Sequence, residues 1–388
     1  MSLTFIHTAD WQIGKPFARI TDEQKRALTR QERLLVIERI GVVAREKRAQ
    51  FILVAGDVFD SSTPDKATVS AACSAIGALK IPVYVIPGNH DHGGPGSLWE
   101  QSFFQQECAA LSPNLQVLLK AEPVELENAV LLPCPLLRRH DASDTTAWLR
   151  VQDLSCYSDK PRLVIAHGSV QDFGPGDEEE DAGSANQLDL ARLPKDQLEY
   201  IALGDWHGAK AVQETRPTAW YAGTPEPDRF PRGIGNNPGN VLVVTVDYGQ
   251  TATVLPVPTA RLGWHALEFH LDIDEAVARL DETLTTLFQG RIGQDLLRLT
   301  LRGSLGISAW AALDLCLETW RSRLLRIRLH LQVTTAPSEE EIERLTQRSD
   351  APLAARVASH LLLECQSPEP EKAEIARQAL RVLHGALG

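Results

Sequence analysis

No apolar run in the 388-residue sequence reaches the roughly 18 residues that a membrane-spanning helix needs, so no transmembrane segment is expected. The opening stretch, MSLTFIHTAD, has no basic-then-apolar leader pattern, which predicts a protein kept in the cytoplasm. Cysteines are few and scattered: Cys73, Cys108, Cys134, Cys156, Cys316 and Cys365 include no C-x-x-C pair. That spacing suits buried thiols in a reducing compartment, not disulfides or zinc ligands. Neither an internal repeat nor a long low-complexity tract organises the chain. An excess of positive charge is missing too, since 51 acidic residues against 39 lysines and arginines leave a net charge of -12. A chain of that sign is not held tightly to nucleic acid by its overall field.

What is present is a substantial core. A length of 388 residues with 43% hydrophobic content is enough for two or three domains. The most informative stretch is Phe51 to Asp60, FILVAGDVFD. Its four leading apolar residues predict a buried parallel strand. Ala55 and Gly56 allow a tight turn, and Asp57 emerges at the carboxyl end of the strand. Ligand sites of open α/β sheets lie at such ends, and a carboxylate there suits a hard divalent cation. Ile81 to Asp91, IPVYVIPGNHD, repeats the arrangement and delivers Asn89, His90 and Asp91. Three more predicted strands end in the same kind of residue. Leu3 to His7 leads to Asp10, Leu163 to Ala166 leads to His167, and Tyr200 to Leu203 leads to Asp205 and His207. One histidine after a strand is commonly a structural hydrogen bonder. Five strand ends bearing oxygen and imidazole donors point to one shared metal chemistry.

Between these strands, residues 21 to 48 read as an amphipathic helix with Val36, Ile40 and Val43 facing inward, and Asp65 to Leu79 as an alanine-rich helix. The βαβα order predicts layered, mostly parallel sheet covered by helices. A β-rich section closes it, over 219 to 222, 241 to 247 and 251 to 257. Pro256, Pro258 and Gly263 mark a boundary. Beyond it, alternating runs at Leu267–Leu271, Leu297–Leu301 and Ile327–Val333 predict three strands separated by two helices, with Arg298, Arg302, Arg326 and Arg328 on polar sheet faces. From Pro337 onward, Ser338 with three glutamates starts a helix, and two further helices follow, split at Gln366 to Pro370.

In order along the chain, Asp10-Trp11-Gln12, GDVFD, GNHD, His167 and Gly204-Asp205-Trp206-His207 resemble the motifs of the calcineurin-like binuclear metallophosphoesterases. With HTADWQIGKPF and YAGTPEPDRF added, the first 260 or so residues more closely resemble the SbcD-type DNA repair exonucleases, including their YhaO-like branch. The resemblance implies a two-sheet α/β sandwich flanked by helices over residues 1–260. It further implies a small α+β capping domain over 261–336 and a helical tail over 337–388 that docks a partner. It implies DNA phosphodiester hydrolysis by a water activated between two divalent ions, manganese or magnesium. An SbcC-like coiled-coil ATPase is the implied partner, and a homodimer is compatible with it. By the same resemblance, one ion takes Asp10, Gln12, Asp57 and His207, and the other takes Asp57, Asn89, His167 and Asp205. His90 would assist the leaving oxygen, with Asp60 and Asp91 orienting the groups around it. Gln12 and Asp205 stand where histidines are expected, and both can still ligate through oxygen, which favours hard ions over zinc. Two other functions stay open: a phosphodiesterase acting on a nucleotide or small phosphodiester, and a non-catalytic DNA- or partner-binding scaffold with a degenerate site. Trp11 and Trp206, each beside a ligand position, are either packing elements or base-stacking platforms. Arg138, Arg139 and His140 are either a phosphate contact or an exposed loop. The acidic run Asp177 to Asp181 reads as a solvated loop.

Overall fold

The computed structural model describes every residue except Met1, Ser158, 171–184, 231–235, Asp274, 336–338 and Gly388. The acidic run and the helix start at Ser338 lie outside the described residues. Two compact units are present, Met1–Gly263 and Trp264–Gly388.

The first unit carries strands β1 (Leu3–Thr8), β2 (Ile52–Ala55), β3 (Val83–Ile86), β4 (Leu115–Val117), β5 (Val124–Glu125), β6 (Val130–Cys134) and β7 (Arg162–His167). It continues with β8 (Ser169–Val170), β9 (Gln187–Leu188), β10 (Tyr200–Gly204), β11 (Lys210–Gln213), β12 (Thr218–Tyr221), β13 (Asn240–Val246) and β14 (Thr253–Pro258). Its helices are α1 (Glu23–Glu46), α2 (Lys66–Ala78) and α3 (Ser102–Leu111). One sheet runs β14-β13-β1-β2-β3-β4, and the other runs β11-β12-β10-β7-β6-β5. The neighbours β1 to β4 are parallel, as are β12, β10, β7 and β6, and antiparallel strands close every edge except the one formed by β4.

The burial pattern makes this a sandwich. Leu53 and Ala55 of β2 join Phe5, Leu163, Ile165, Tyr200, Ala202 and Leu242 in a core between the two sheets. Ile52 and Val54, one residue out of phase, face Ile37 and Ile40 of α1 and Val69 and Ile76 of α2. Because side chains alternate across a strand, a strand buried on both faces must be apolar throughout, and β2 is. Truncating a residue such as Leu53 to alanine is expected to cost about 2–5 kcal/mol. Both long helices start where their sequences specify. Asp22 and Asp65 cap α1 and α2, accepting from the Lys25 and Thr68 amides at 3.0 and 2.7 Å.

The second unit alternates β15 (Gly263–Leu271), α4 (Ala276–Leu287), β16 (Asp295–Leu305), α5 (Ile307–Arg323) and β17 (Arg326–Thr335). Its sheet order is β15-β16-β17, with β16 and β17 parallel. Leu280, Leu284, Leu297, Leu299, Leu301, Leu313 and Trp320 fill one side of that sheet. Helices α6 (Glu339–Thr346), α7 (Pro352–Glu364) and α8 (Pro370–Leu387) complete the unit. Leu345, Ala358 and Leu380 bury themselves with Ile307 of α5. Among the described residues, no helix is long and apolar enough to cross a membrane.

Candidate active site

Every residue proposed as a metal ligand lies just beyond the carboxyl end of a parallel strand, or closes it. Adjacent strands β1, β2 and β3 deliver Asp10, Asp57 and Asn89 from one sheet, and β7 and β10 deliver His167, Asp205 and His207 from the other. Pairing between β1 and β2 continues into their loops. The Asp10 amide donates to Gly56 O, Gln12 to Asp57 O and Ile13 to Val58 O, at 3.1, 2.9 and 2.8 Å. This ladder fixes the Asp10–Ile13 segment against the Asp57 turn.

The aiming of these side chains uses uncommon backbone. Asp10, Gln12, Asp57 and Asp205 all have positive φ, at 53°, 44°, 57° and 98°. Such angles are disfavoured for residues with a Cβ and persist where surrounding structure enforces them, commonly at functional sites. Space is equally tight. A Cβ at Gly88 would run into the Asp57 carboxylate, and one at Gly204 into the Ala55 carbonyl of the other sheet, so both turns require glycine.

Around His167 the donors converge. Its Nδ1–H donates to Ala55 O at 2.8 Å, which leaves Nε2 facing the site. Nε2 lies 3.2 Å from Asn89 Oδ1, 3.7 Å from Asp57 Oδ1 and 3.8 Å from Asp205 Oδ1. Asp10, Asp57 and His167 bring one ligand atom each to within 4.8 Å of one another, and all three are buried. The Asp205 amide caps the Asp10 carboxylate at 3.3 Å, and Ser169 Oγ donates to Asp205 Oδ2 at 2.9 Å. Burial alone would push His167 down, but Asp57, Asp10 and Asp205 outweigh it and lift the ring to about 9. Burial, reinforced by the neighbouring carboxylates, raises Asp10 well above the usual carboxylate range. An ion would take the place of the proton that this cluster otherwise retains. The donor set, imidazole with carboxylate and amide oxygens, fits a hard or borderline divalent ion.

Around His207 the surroundings differ. Its Nδ1 donates to Asp228 Oδ1 at 2.9 Å, and its Nε2 accepts from Arg229 and from the Gln12 amide, each at 3.2 Å. Lys15 Nζ donates to Gln12 Oε1 at 2.6 Å and pairs with Asp60 and Asp228 at 3.1 Å each. Burial lowers His207 despite Asp228. Burial would raise Asp228, yet its hydrogen bond to His207 together with Arg229 and Lys15 holds it well below the usual range.

His90 sits beside the cluster. Its Nδ1 donates to Asp60 O at 2.8 Å, its Nε2 lies 4.0 Å from Asp57 Oδ2, and its backbone amide donates to Asp57 Oδ1 at 2.9 Å. Asp91 braces the two turns, accepting from Gly88 N at 2.7 Å and Phe59 N at 3.1 Å; burial and the charge of Asp57 raise it to about 7. Asp60 uses its side chain on Lys15 and its carbonyl on His90. Trp11 is fully buried and donates to Thr8 Oγ1 at 3.0 Å, which makes it a packing element and closes base stacking to it. Arg138, Arg139 and His140 are exposed.

Four supporting residues escaped the sequence reading. Lys15, Asp228 and Arg229 lie within the stretches HTADWQIGKPF and YAGTPEPDRF, whose charged residues carried no assigned role. Arg33, on α1, is fully buried and donates to Asp10 O, Trp11 O, Glu226 O and Thr224 Oγ1 at 2.7–3.0 Å. It ties the Asp10 loop to the segment holding Asp228. Nothing in the charged pattern of that helix separated Arg33 from its solvated neighbours.

Residues 3–217 match the family model described as calcineurin-like phosphoesterase. The chain belongs to that family. Its members are metal-dependent phosphoester hydrolases working with a divalent metal pair, and the Asp10–Asp57–His167 cluster is a candidate site for such metal. The chain is similar to the SbcD component of the nuclease SbcCD of Bacillus subtilis (strain 168), with 25% identity over 253 residues, 58% of this chain and 61% of that protein. It therefore spans less than two thirds of that relative's length. A putative 5'-nucleotidase structure from Staphylococcus aureus matches 67% of this chain and 55% of its own, at 12% identity and a TM-score of 0.40, a likeness too loose to add to the family assignment.

Proposed function

We propose that this chain is a manganese- or magnesium-dependent DNA nuclease, acting as an exonuclease in DNA repair with an SbcC-like coiled-coil ATPase in the cytoplasm. The observation that carries the proposal is the convergence of Asp10, Asp57, Asn89, His167 and Asp205 from two sheets at one point. Similarity to a component of a nuclease supports DNA as the substrate. Two divalent ions held there would lower the pKa of a water and neutralise the scissile phosphate.

The chain's own residues supply the rest. Asp57 would be shared by the two ligand sets, and the Ala55 carbonyl and Asp228 fix the two imidazoles with Nε2 inward. His90, positioned by Asp60 O, is placed to give a proton to the leaving oxygen. Asp60 and Asp91 act through Lys15 and the two turns they hold.

The division of labour into 1–260, 261–336 and 337–388 belongs to the same proposal. On the polar face of the second unit's sheet, Arg298, Arg302, Arg326 and Arg328 offer contacts to phosphates; Arg302 pairs with Glu268 at 2.8 Å. In the tail, Leu353, Leu363, Ile375 and Val382 are exposed, which suits docking onto an apolar coiled coil.

The deciding experiment is a manganese-dependent assay on end-labelled DNA beside bis(p-nitrophenyl) phosphate. DNA shortened from its ends supports the proposal. Cleavage of the small diester alone makes this a small-substrate phosphodiesterase, and no cleavage of either makes it a binding scaffold. Each arginine that contacts phosphate should add about one unit to the salt slope of DNA binding.

A further inference from the structure

The two ligand sets are similar in composition and unlike in their neighbours. Around His167 Nε2 stand Asn89 Oδ1, Asp57 Oδ1 and Asp205 Oδ1, all oxygen acceptors. Around His207 Nε2 stand two donors, the Arg229 guanidinium and the Gln12 amide N–H.

The direction of the second set is fixed by chemistry. A lysine ammonium can only donate, so the 2.6 Å contact from Lys15 Nζ identifies the Gln12 atom it meets as the amide oxygen. The amide nitrogen must then face His207, as observed. An ion bound by His207 Nε2 and Gln12 Oε1 together requires that amide to turn over. Lys15 must release the oxygen, and Arg229 must leave the imidazole lone pair. A histidine at position 12 would give Lys15 no such amide oxygen to hold.

Charge points the same way. Lys15 and Arg229 are matched by Asp60 and Asp228, so these groups offer an incoming dication no surplus negative charge, and both cations stand against the atoms it would need. The His167 side presents the carboxylates of Asp57 and Asp205 at 3.7 and 3.8 Å from Nε2.

We propose that the two ion positions are unequal. The position formed by Asp57, Asn89, His167 and Asp205 binds a divalent ion tightly. The position formed by Asp10, Gln12, Asp57 and His207 is contested by Lys15 and Arg229 and fills only at high metal concentration. The resting protein thus carries one tight divalent ion per chain. This rests on the metal-site part of the functional proposal and not on the DNA part.

The test is manganese titration of the full chain by calorimetry, with electron paramagnetic resonance of the bound ions. The expected result is one tight ion per chain and a second, separate weak step. Lys15→Met should tighten the weak step at least about tenfold, the scale on which outer groups tune metal affinity. Gln12→His, a milder change at the same position, should produce a spin-coupled two-manganese signal at low loading. Two equal tight steps in the native chain would overturn the proposal, as would a weak step unmoved by both substitutions. Absence of any bound manganese would remove the metal site itself. One tight ion with no DNA cleavage would leave this inference standing and remove only the nuclease.

Discussion

His167 and His207 enter the site in the same way and are put to opposite electrostatic use. Each ring donates from Nδ1 to an oxygen behind it and turns Nε2 inward. Behind His167 the oxygen is a neutral backbone carbonyl, and in front stand carboxylates, so the ring is lifted to about 9. Behind His207 the oxygen is the Asp228 carboxylate, and in front stand the donors Gln12 and Arg229; burial, helped by Arg229 and Lys15, outweighs Asp228 and lowers the ring. The same residue type at the end of the same kind of strand thus becomes a proton store on one side and a hydrogen-bond acceptor on the other. What decides this is the surroundings and not the rings themselves: Asp57, Asp10 and Asp205 on one side, and burial with Arg229 and Lys15 on the other.

The largest effect should come from the residue that the proposed ligand sets share. Asp57→Ala removes a carboxylate from both ligand sets, so calorimetry should find no tight manganese and phosphodiester hydrolysis should vanish. Retained binding at either histidine would show that the halves are independent.

His90→Ala should leave manganese bound, because His90 lies 4.0 Å from Asp57 without joining the ligand set. Turnover should fall about 10²- to 10⁴-fold, the usual scale of acid-base assistance. A normal rate in a metal-loaded variant would take His90 out of the chemistry.

Arg33→Met should act on the His207 side through stability. It strips the donor from the Asp10 and Trp11 carbonyls, while the Glu226 carbonyl keeps Thr224 Oγ1. Each stranded acceptor carries a cost of about 1–3 kcal/mol, so a total near 3 kcal/mol or more is expected in urea unfolding. A midpoint unchanged from the native chain would mean that water replaces the guanidinium.

The smallest effect is a pH dependence that only the His167 side should show. With its folded pKa near 9 against an ordinary 6.5, the His167 proton stabilises the metal-free fold fully below about 6.5, and that contribution is lost as pH rises through 9. Asp91, at about 7 instead of 3.8, has the same sign, because the folded form binds more protons between those values. The metal-free protein should therefore melt at lower temperature as pH rises from about 6 to 9, while manganese, replacing the proton, should flatten the slope. Equal slopes with and without manganese would place the ion elsewhere.

Much of the fold could be read directly from residue order. Apolar runs ending in Asp57, Asn89 and His167 announced parallel strands buried on both faces, because no half-exposed strand tolerates such runs. Asp65, read as the start of the second helix, caps α2, since a capping carboxylate acts within its own turn. Arg33 was not legible, because its burial depends on carbonyls from residues 10, 11 and 226 meeting over α1. The same holds for Lys15, whose three partners are Gln12, Asp60 and Asp228.

By itself, the sequence determined which chemistry was available: hard oxygen donors and imidazoles at strand ends, with an amide and a carboxylate at positions 12 and 205. Strand period and chain order suffice for that, because they are local. Only the tertiary structure decided which donors share a point, and which of them face a cation. That outcome depends on two sheets meeting where Gly204 leaves room for the Ala55 carbonyl, and on charges far apart in the chain lying within hydrogen-bonding distance in the fold. Coulomb energy depends on spatial separation and burial, neither of which is a property of sequence position.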